Sequence, residues 1–225
     1  MNNKIIIEIE GTDGSGKETQ SKLLNTYFSN KGKKTLLLSF PQYDNVSSEY
    51  VKSYLRGDYT NLTPIQISLL YAYDRYISYI NEWKKEFDEA EVIIFDRYVD
   101  SNIIYNTTYE ENASTTINLA NLYNFTTQIH AIEYEKMGLP IPTVKLFLNV
   151  PYEVSKKLRE NRKLKNGESV DINEQNEKLM KKVSYMANLV PAIGYEVIDC
   201  IENGEMRNIL SIHESIINVL EKTSK

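Results

Sequence analysis

Gly11-Thr-Asp-Gly-Ser-Gly-Lys17, followed by Glu18 and Thr19, comes within one residue of the phosphate-cradling pattern G-x-x-x-x-G-K-[ST]. Glycines in such a loop let backbone N–H groups turn inward onto phosphate oxygens. The N-terminus of the following helix adds partial positive charge, and the lysine sets a point charge against the β- and γ-phosphates. Gly11, Thr12, Asp13, Gly14, Ser15, Gly16, Lys17, Glu18 and Thr19 are therefore candidates for holding a nucleoside triphosphate. The odd residue is Glu18, where a Ser or Thr hydroxyl would help hold Mg²⁺. A carboxylate is itself a hard oxygen ligand and can meet Mg²⁺ directly or through water. It also brings negative charge close to polyphosphate, so nucleotide binding is expected to become more Mg²⁺-dependent, not to be abolished. Thr19 is no substitute, because one helical position turns it about 100° away.

A second set of chemical groups follows another apolar run. Val92-Ile-Ile-Phe-Asp-Arg-Tyr98 reads as a strand ending in Asp96-Arg97. Ligands of open parallel sheets bind outside the carboxyl ends of strands. Asp96 there could hold Mg²⁺ through water, and Arg97 could fork across an acceptor phosphate; taken alone, such a pair is more often a structural ion pair. Tyr71 and Arg75 lie four apart on a helical pattern and are neighbours. Lys156, Lys157, Arg159, Arg162, Lys163 and Lys165 form a basic cluster. It reads either as a solvated helix face or as a mobile lid carrying cations to phosphates.

These groups need a frame, and the chain supplies one. Four short apolar runs, 5–9, 35–40, 92–95 and 144–150, and a weaker fifth, 195–199, alternate with longer helix-like segments. That alternation predicts an α/β fold with a parallel sheet covered on both faces. Thr63-Pro-Ile-Gln66 is a capping box with proline at the first helical position. The helix it opens is expected to bury Ile65, Leu69, Tyr73, Tyr76, Ile80, Trp83 and Phe87, with Tyr71 and Arg75 on a different stripe. Asp171-Ile-Asn-Glu174 reads as a second capping box, and Ile209 to Leu220 as a closing helix.

No Pro/Ser-rich linker interrupts the 225 residues, which read as a single domain, 1–225. The composition is 41% hydrophobic and 25% charged, and the net charge of −5 offers no overall basic field to nucleic acid or anionic membrane. No run approaches the ~18 apolar residues of a membrane span, and the N-terminus is expected to carry no signal or anchor. The single Cys200 excludes an internal disulfide and fits a reducing, cytoplasmic setting.

Taken in order, GTDGSGK, Phe40-Pro41, Leu69-Leu70 with Arg75, Asp96-Arg97-Tyr98 with Ser101, Tyr105 and Asn106, and then the basic segment, the chain resembles the thymidylate kinase family from about residue 4 to the helix starting near Asp171. The resemblance implies a P-loop NTPase-type three-layer α/β/α fold with a five-stranded parallel sheet and a short lid at about 152–170. It also implies a homodimer, and an activity that phosphorylates dTMP to dTDP with ATP and Mg²⁺. Asp13 then matches the loop carboxylate facing the acceptor's sugar and phosphate, and Lys17 the loop lysine. Arg97 matches the arginine touching the acceptor phosphate near the metal. Tyr71 stands where a phenylalanine usually stacks on thymine, and Arg75 matches the arginine reading the base carbonyl. Tyr105 packs under the deoxyribose, and Ser101, Asn102 and Asn106 meet the thymine edge. With Gly14 and Ser15 in the loop, the lid is expected to supply the arginine that steadies the transferring group, either Arg159 or Arg162.

The departures bear on the acceptor. Phe40-Pro41 is kept, but Tyr43 replaces the usual phosphate-gripping arginine, a loss that Arg56 is the candidate to offset. Two rival readings are a related kinase with another acceptor and a catalytically weakened nucleotide-binding module.

Overall fold

The computed structural model describes residues 4–107, 119–166 and 172–223, and the side chains of all but 162–166 and 223 among them. Five strands carry the fold: β1 (Ile5–Gly11), β2 (Thr35–Ser39), β3 (Val92–Asp96), β4 (Val144–Asn149) and β5 (Tyr195–Asp199). They pair in the order β2-β3-β1-β4-β5, all parallel, with Ile7 opposite both Ile94 and Val144. Helices α1 (Lys17–Asn30), α2 (Glu49–Arg56), α3 (Pro64–Ser78), α4 (Lys84–Glu89), α5 (Asp100–Asn106), α6 (Leu119–His130), α7 (Tyr152–Asn166), α8 (Ile172–Gln175), α9 (Glu177–Tyr185) and α10 (Ile209–Thr223) cover the faces. The expected five-stranded α/β/α architecture is what the chain adopts.

Strand alternation divides the core into two. On one face Ile7, Ile9, Ile94, Leu146 and Leu148 meet Leu24 of α1 and Ile212 and Ile216 of α10. On the other Ile6, Ile93, Phe95 and Phe147 meet Trp83, Tyr98, Ile103 and Met180. The same alternation turns Glu8 and Glu10 of β1 onto the second face, both fully buried. Each is used there. Glu8 Oε1 accepts the Asp100 N–H at 3.0 Å, and Glu10 Oε1 accepts the Tyr98 N–H at 3.1 Å. The buried Asp100 carboxylate in turn takes Lys145 Nζ at 2.7 Å and His130 Nε2 at 2.7 Å. The central strand thus holds the start of α5 through its own carboxylates.

The α3 helix departs from the expected packing. Its capping box forms: Thr63 N donates to Gln66 Oε1 at 2.9 Å, and Gln66 N to Thr63 Oγ1. Its buried face, however, carries Ile67, Ser68, Ala72, Asp74, Arg75 and Ser78. Leu69, Tyr73 and Ile80 stay 42%, 42% and 46% exposed. Hydropathy misplaces the stripe because the polar residues have partners inside. Asp74 accepts from Gln42 N at 2.9 Å and Ser47 Oγ at 2.7 Å, and Arg75 meets Glu133. A π-helical turn at Tyr79–Trp83 then shifts the phase and buries Trp83, which donates to Ser78 Oγ at 3.1 Å.

Two smaller differences follow. The helix expected to run on from Asp171-Ile-Asn-Glu174 breaks into α8 and α9, because Asn176 caps α9 by accepting the Leu179 N–H at 3.0 Å. Asp171 itself lies outside the described residues. A small antiparallel pair, β6 (Ile201–Glu202) with β7 (Glu205–Met206), precedes α10.

Candidate active site

The phosphate loop joins β1 to α1. Gly11, Gly14 and Gly16 all have positive φ, which suits glycine and turns the loop amides to one side. At Gly11 a Cβ would meet the Leu148 carbonyl oxygen at 2.7 Å, and at Gly14 it would press on Ser155 O at 3.2 Å. Thr12 and Ser15 are buried in the loop, and Lys17 begins α1, as the strand-loop-helix reading requires. Lys17 Nζ donates to the carbonyl oxygens of Gly11 at 3.0 Å and Thr12 at 2.9 Å. Burial, followed by the Arg97 charge, lowers its pKa to about 8. Glu18 and Thr19 are exposed, and Glu18 pairs with Lys22 at 2.5 Å.

Arg97 sits beside this loop in a left-handed backbone conformation, φ 65°, a strained geometry for a non-glycine residue. Its N–H is held by Ile9 O at 3.1 Å. Its guanidinium bonds the Asp13 carboxylate, donates to Tyr105 Oη at 3.1 Å and lies 3.7 Å from Glu10. Tyr105 Oη also donates to Asp13 Oδ2 at 3.3 Å. Burial alone would raise the Asp13 pKa; Arg97, Lys17 and Arg159 together bring it down to about 2. Burial raises the Asp96 pKa, against Lys17 and Arg97, and Glu18 adds to the rise. The two carboxylates foreseen for a metal therefore feel one another across the helix start.

A pocket opens beyond Arg97. Asp13, Phe40, Pro41, Tyr43, Tyr71, Arg75, Arg97, Ser101, Asn102, Tyr105 and Asn106 all line it. Tyr71 is half-buried and meets the Tyr54 ring edge-to-face at 6.3 Å. Ser101 donates its hydroxyl to Glu10 Oε1 at 2.5 Å, and Asn106 Nδ2 donates to Ser68 Oγ at 2.7 Å. Arg56 is the exception. It points away at the end of α2, tied to Asp58 at 2.9 Å and to Ser53, and does not join the lining. Tyr43 stands at the rim, 48% exposed.

The α7 helix lies across the loop. Arg159 is 5% exposed and donates through Nη1 to Asp13 O and to Ser155 Oγ. Its Cγ lies 3.4 Å from where a Gly14 Cβ would stand, so the absence of a side chain at 14 makes room for the arginine. The side chain of Arg162 lies outside the described residues.

The thymidylate kinase family model matches residues 9–200. The chain belongs to this family. It is 30% identical over 157 residues to a Mycobacterium tuberculosis thymidylate kinase, covering 67% of this chain and 68% of that one. It is also 30% identical over 145 residues to the Plasmodium falciparum thymidylate kinase, covering 64% and 61%. A solved Candida albicans thymidylate kinase superposes with a TM-score of 0.69 at 22% identity, over 99% of this chain and 93% of that one, which is a likeness of fold.

The site also holds groups that the sequence pattern does not single out. Glu10 bonds the backbone of Tyr98 and the hydroxyl of Ser101; a charged residue inside an apolar strand run, next to the glycines, was its signal. Leu55 and Asn173 line the pocket from α2 and α8. Glu133, on a π-helical turn after α6 at Ala131–Lys136, holds Arg75 through two 2.7 Å bonds. Nothing in its local sequence announces that role.

Proposed function

We infer that this phosphotransferase moves the γ-phosphoryl group of ATP to dTMP, giving dTDP. The observation carrying this reading is the Asp13–Arg97–Tyr105 cluster, which stands where the phosphate loop meets the Tyr71/Arg75-lined pocket. A donor on the loop and an acceptor in the pocket would present their phosphates to the same guanidinium.

Phosphoryl transfer asks the protein mainly for positioning and for positive charge on the equatorial oxygens. Loop amides and Lys17 would hold the donor. Arg97 would bind the acceptor phosphate, and Arg159, already against the loop, would steady the moving group. Tyr71 would stack on the pyrimidine, and Tyr105 would crowd a ribose 2′-OH. An acceptor phosphate is largely ionised at neutral pH, so no dedicated general base is needed. Closure of α7 over both substrates would exclude water and suppress hydrolysis of ATP.

The donor set also suits Mg²⁺ arriving with ATP. Among the described residues no cluster of three or more His, Cys, Asp or Glu side chains could hold a metal unaided. Mg²⁺ at phosphates commonly takes only one or two carboxylates. Asp96 makes no side-chain hydrogen bond among the described residues, and the Glu18 charge is felt there; these two would hold the ion, which would neutralise phosphate charge.

The chain would act as one domain with α7 as lid, in a cytoplasmic setting and as a homodimer; residues 167–170 of the expected lid lie outside the described residues. The exposed apolar residues of α3 support the homodimer. Tyr50 of α2 adds its ring to Tyr73 at 5.8 Å, and Val46 is 89% exposed. Among the described residues no helix is long and apolar enough to cross a membrane.

A coupled ADP-release assay over a panel of nucleosides and nucleoside monophosphates tests the function. dTMP should be turned over fastest, and Lys17→Ala or Arg97→Ala should lower the rate by orders of magnitude with the fold intact. Wild-type rates from either variant, or turnover of nucleosides in preference to monophosphates, would contradict the reading.

A further inference from the structure

We propose that Glu133, which does not itself line the pocket, is a positioning residue that makes the acceptor site select keto bases over amino bases; this rests on the pocket's reading as the acceptor-base site. Glu133 is fully buried. Its Oε2 accepts Arg75 Nε at 2.7 Å, and its Oε1 accepts both Arg75 Nη2 at 2.7 Å and Asn102 Nδ2 at 2.8 Å. One carboxylate therefore clamps two pocket side chains at once.

The consequence for Asn102 follows from donor and acceptor inventory. Its amide NH₂ has two hydrogens, and it faces two acceptors, Glu133 Oε1 and the Ser68 carbonyl oxygen at 3.0 Å. A flipped amide would set Oδ1 against both oxygens, a doubly repulsive arrangement. Oδ1 is thus left to the pocket, and it makes no hydrogen bond among the described residues. Arg75 is fixed by its bidentate bond and offers only donors. The pocket presents a locked donor beside a locked acceptor.

Such a pair matches a base edge with a carbonyl next to an N–H. Thymine and uracil show it at O4 and N3–H, and guanine at O6 and N1–H. Cytosine and adenine present the inverse, an amino group next to a bare ring nitrogen. They would face donor with donor and acceptor with acceptor. An Asn free to flip would lose half of that discrimination, so the selectivity resides in the clamp.

The test measures kcat/KM for dTMP and dCMP with wild type, Glu133→Gln and Glu133→Asp, each checked for folding by circular dichroism. Wild type should favour dTMP by about 10⁴-fold or more, the range of sites built on buried hydrogen-bonding groups. Glu133→Gln brings its own NH₂ to Asn102 and permits the flip, so the dTMP/dCMP ratio should fall by about tenfold or more. Glu133→Asp keeps a charge for Arg75, which protects the fold, but its shorter reach cannot hold both partners; its ratio should fall too. A ratio unchanged in a folded variant, with both substrates losing equally, assigns Glu133 a merely structural role and overturns the proposal. Comparable use of dCMP and dTMP by wild type overturns it without any variant. Turnover of neither monophosphate would instead refute the acceptor-pocket reading and the proposal with it.

Discussion

Arg159 Nη1 donates to the backbone carbonyl oxygen of Asp13 at 3.1 Å. A guanidinium of α7 is thereby fastened to the phosphate loop, over the glycine at position 14. An arginine so placed is pre-positioned for the charge that spreads on a transferring phosphoryl group. Arg159→Ala should lower kcat by about 10³-fold, as the loss of an arginine finger does, with KM for dTMP changed little. The ADP-release assay reads both values. A loss confined to KM would move Arg159 from the transition state to ground-state binding.

Lys17 carries a pH signature. Burial and Arg97 depress its pKa to about 8, outweighing Asp13, Asp96 and Glu10. A lysine is charged below its pKa, so the loop loses this charge as pH rises through that value. A triphosphate favours the protonated form, so ATP affinity should hold between pH 6 and 7 and fall about tenfold between pH 7 and pH 9. Titration calorimetry in buffers of different ionisation enthalpy would also detect the proton taken up on binding. Affinity flat from pH 7 to 9 would show that Lys17 does not titrate there.

How far the residues announced this arrangement depends on the distance over which they act. The five strands were legible because buried parallel strands read as short apolar runs, and β1, β3 and β4 are buried almost throughout. The phosphate loop was legible because its chemistry is contiguous. The phase of α3 was not, because periodicity ranks side chains by hydropathy and is blind to partners. Arg75 goes inside only because Glu133 waits 58 residues away. The same blindness hid Glu133, whose place depends on a π-helical turn. Arg56 stays out of the lining for the opposite reason: its partner Asp58 is two residues on and engages the charge locally.

Asp13 links the site to acid stability. Burial would raise its pKa, but Arg97, Lys17 and Arg159 lower it from 3.8 to about 2. A carboxyl whose folded pKa is depressed stabilises the fold above its unfolded value and stops doing so as pH falls through the folded one. The contribution, about 2 kcal/mol at 1.36 per unit, should therefore be intact above pH 5 and lost between pH 4 and pH 2. Asp13→Asn should be less stable than wild type in urea unfolding at pH 6, and the gap should close near pH 2. A gap that stays constant with pH would mean that the charge of Asp13 is not what the cations hold.

Glu18 has an exposed side chain whose ion pair with Lys22 contributes little to stability, as surface pairs do. Glu18→Thr should fold normally. If Glu18 stands near the donor phosphates as proposed, this removes negative charge there, so ATP binding with chelator present should tighten and the Mg²⁺ dependence of turnover should flatten. Titrating free Mg²⁺ at fixed ATP compares the two proteins. Superimposable curves would remove Glu18 from the metal's surroundings and leave Asp96 alone.

Leu69 and Tyr73 of α3 and Ile80 of the π-helical turn after it expose apolar surface although the helix already buries another face. Contiguous apolar surface of this kind marks an association site, and a two-fold interface sets the same patch of both copies against each other. Tyr73 lies within it, in ring contact with Tyr50. Tyr73→Glu sets like charges against one another across such an axis while leaving the buried face of α3 untouched. Light scattering should show wild type as a dimer and Tyr73→Glu as a monomer with nearly unchanged circular dichroism at 222 nm. A dimer that survives this substitution and the further change Leu69→Glu would place the contact on another face.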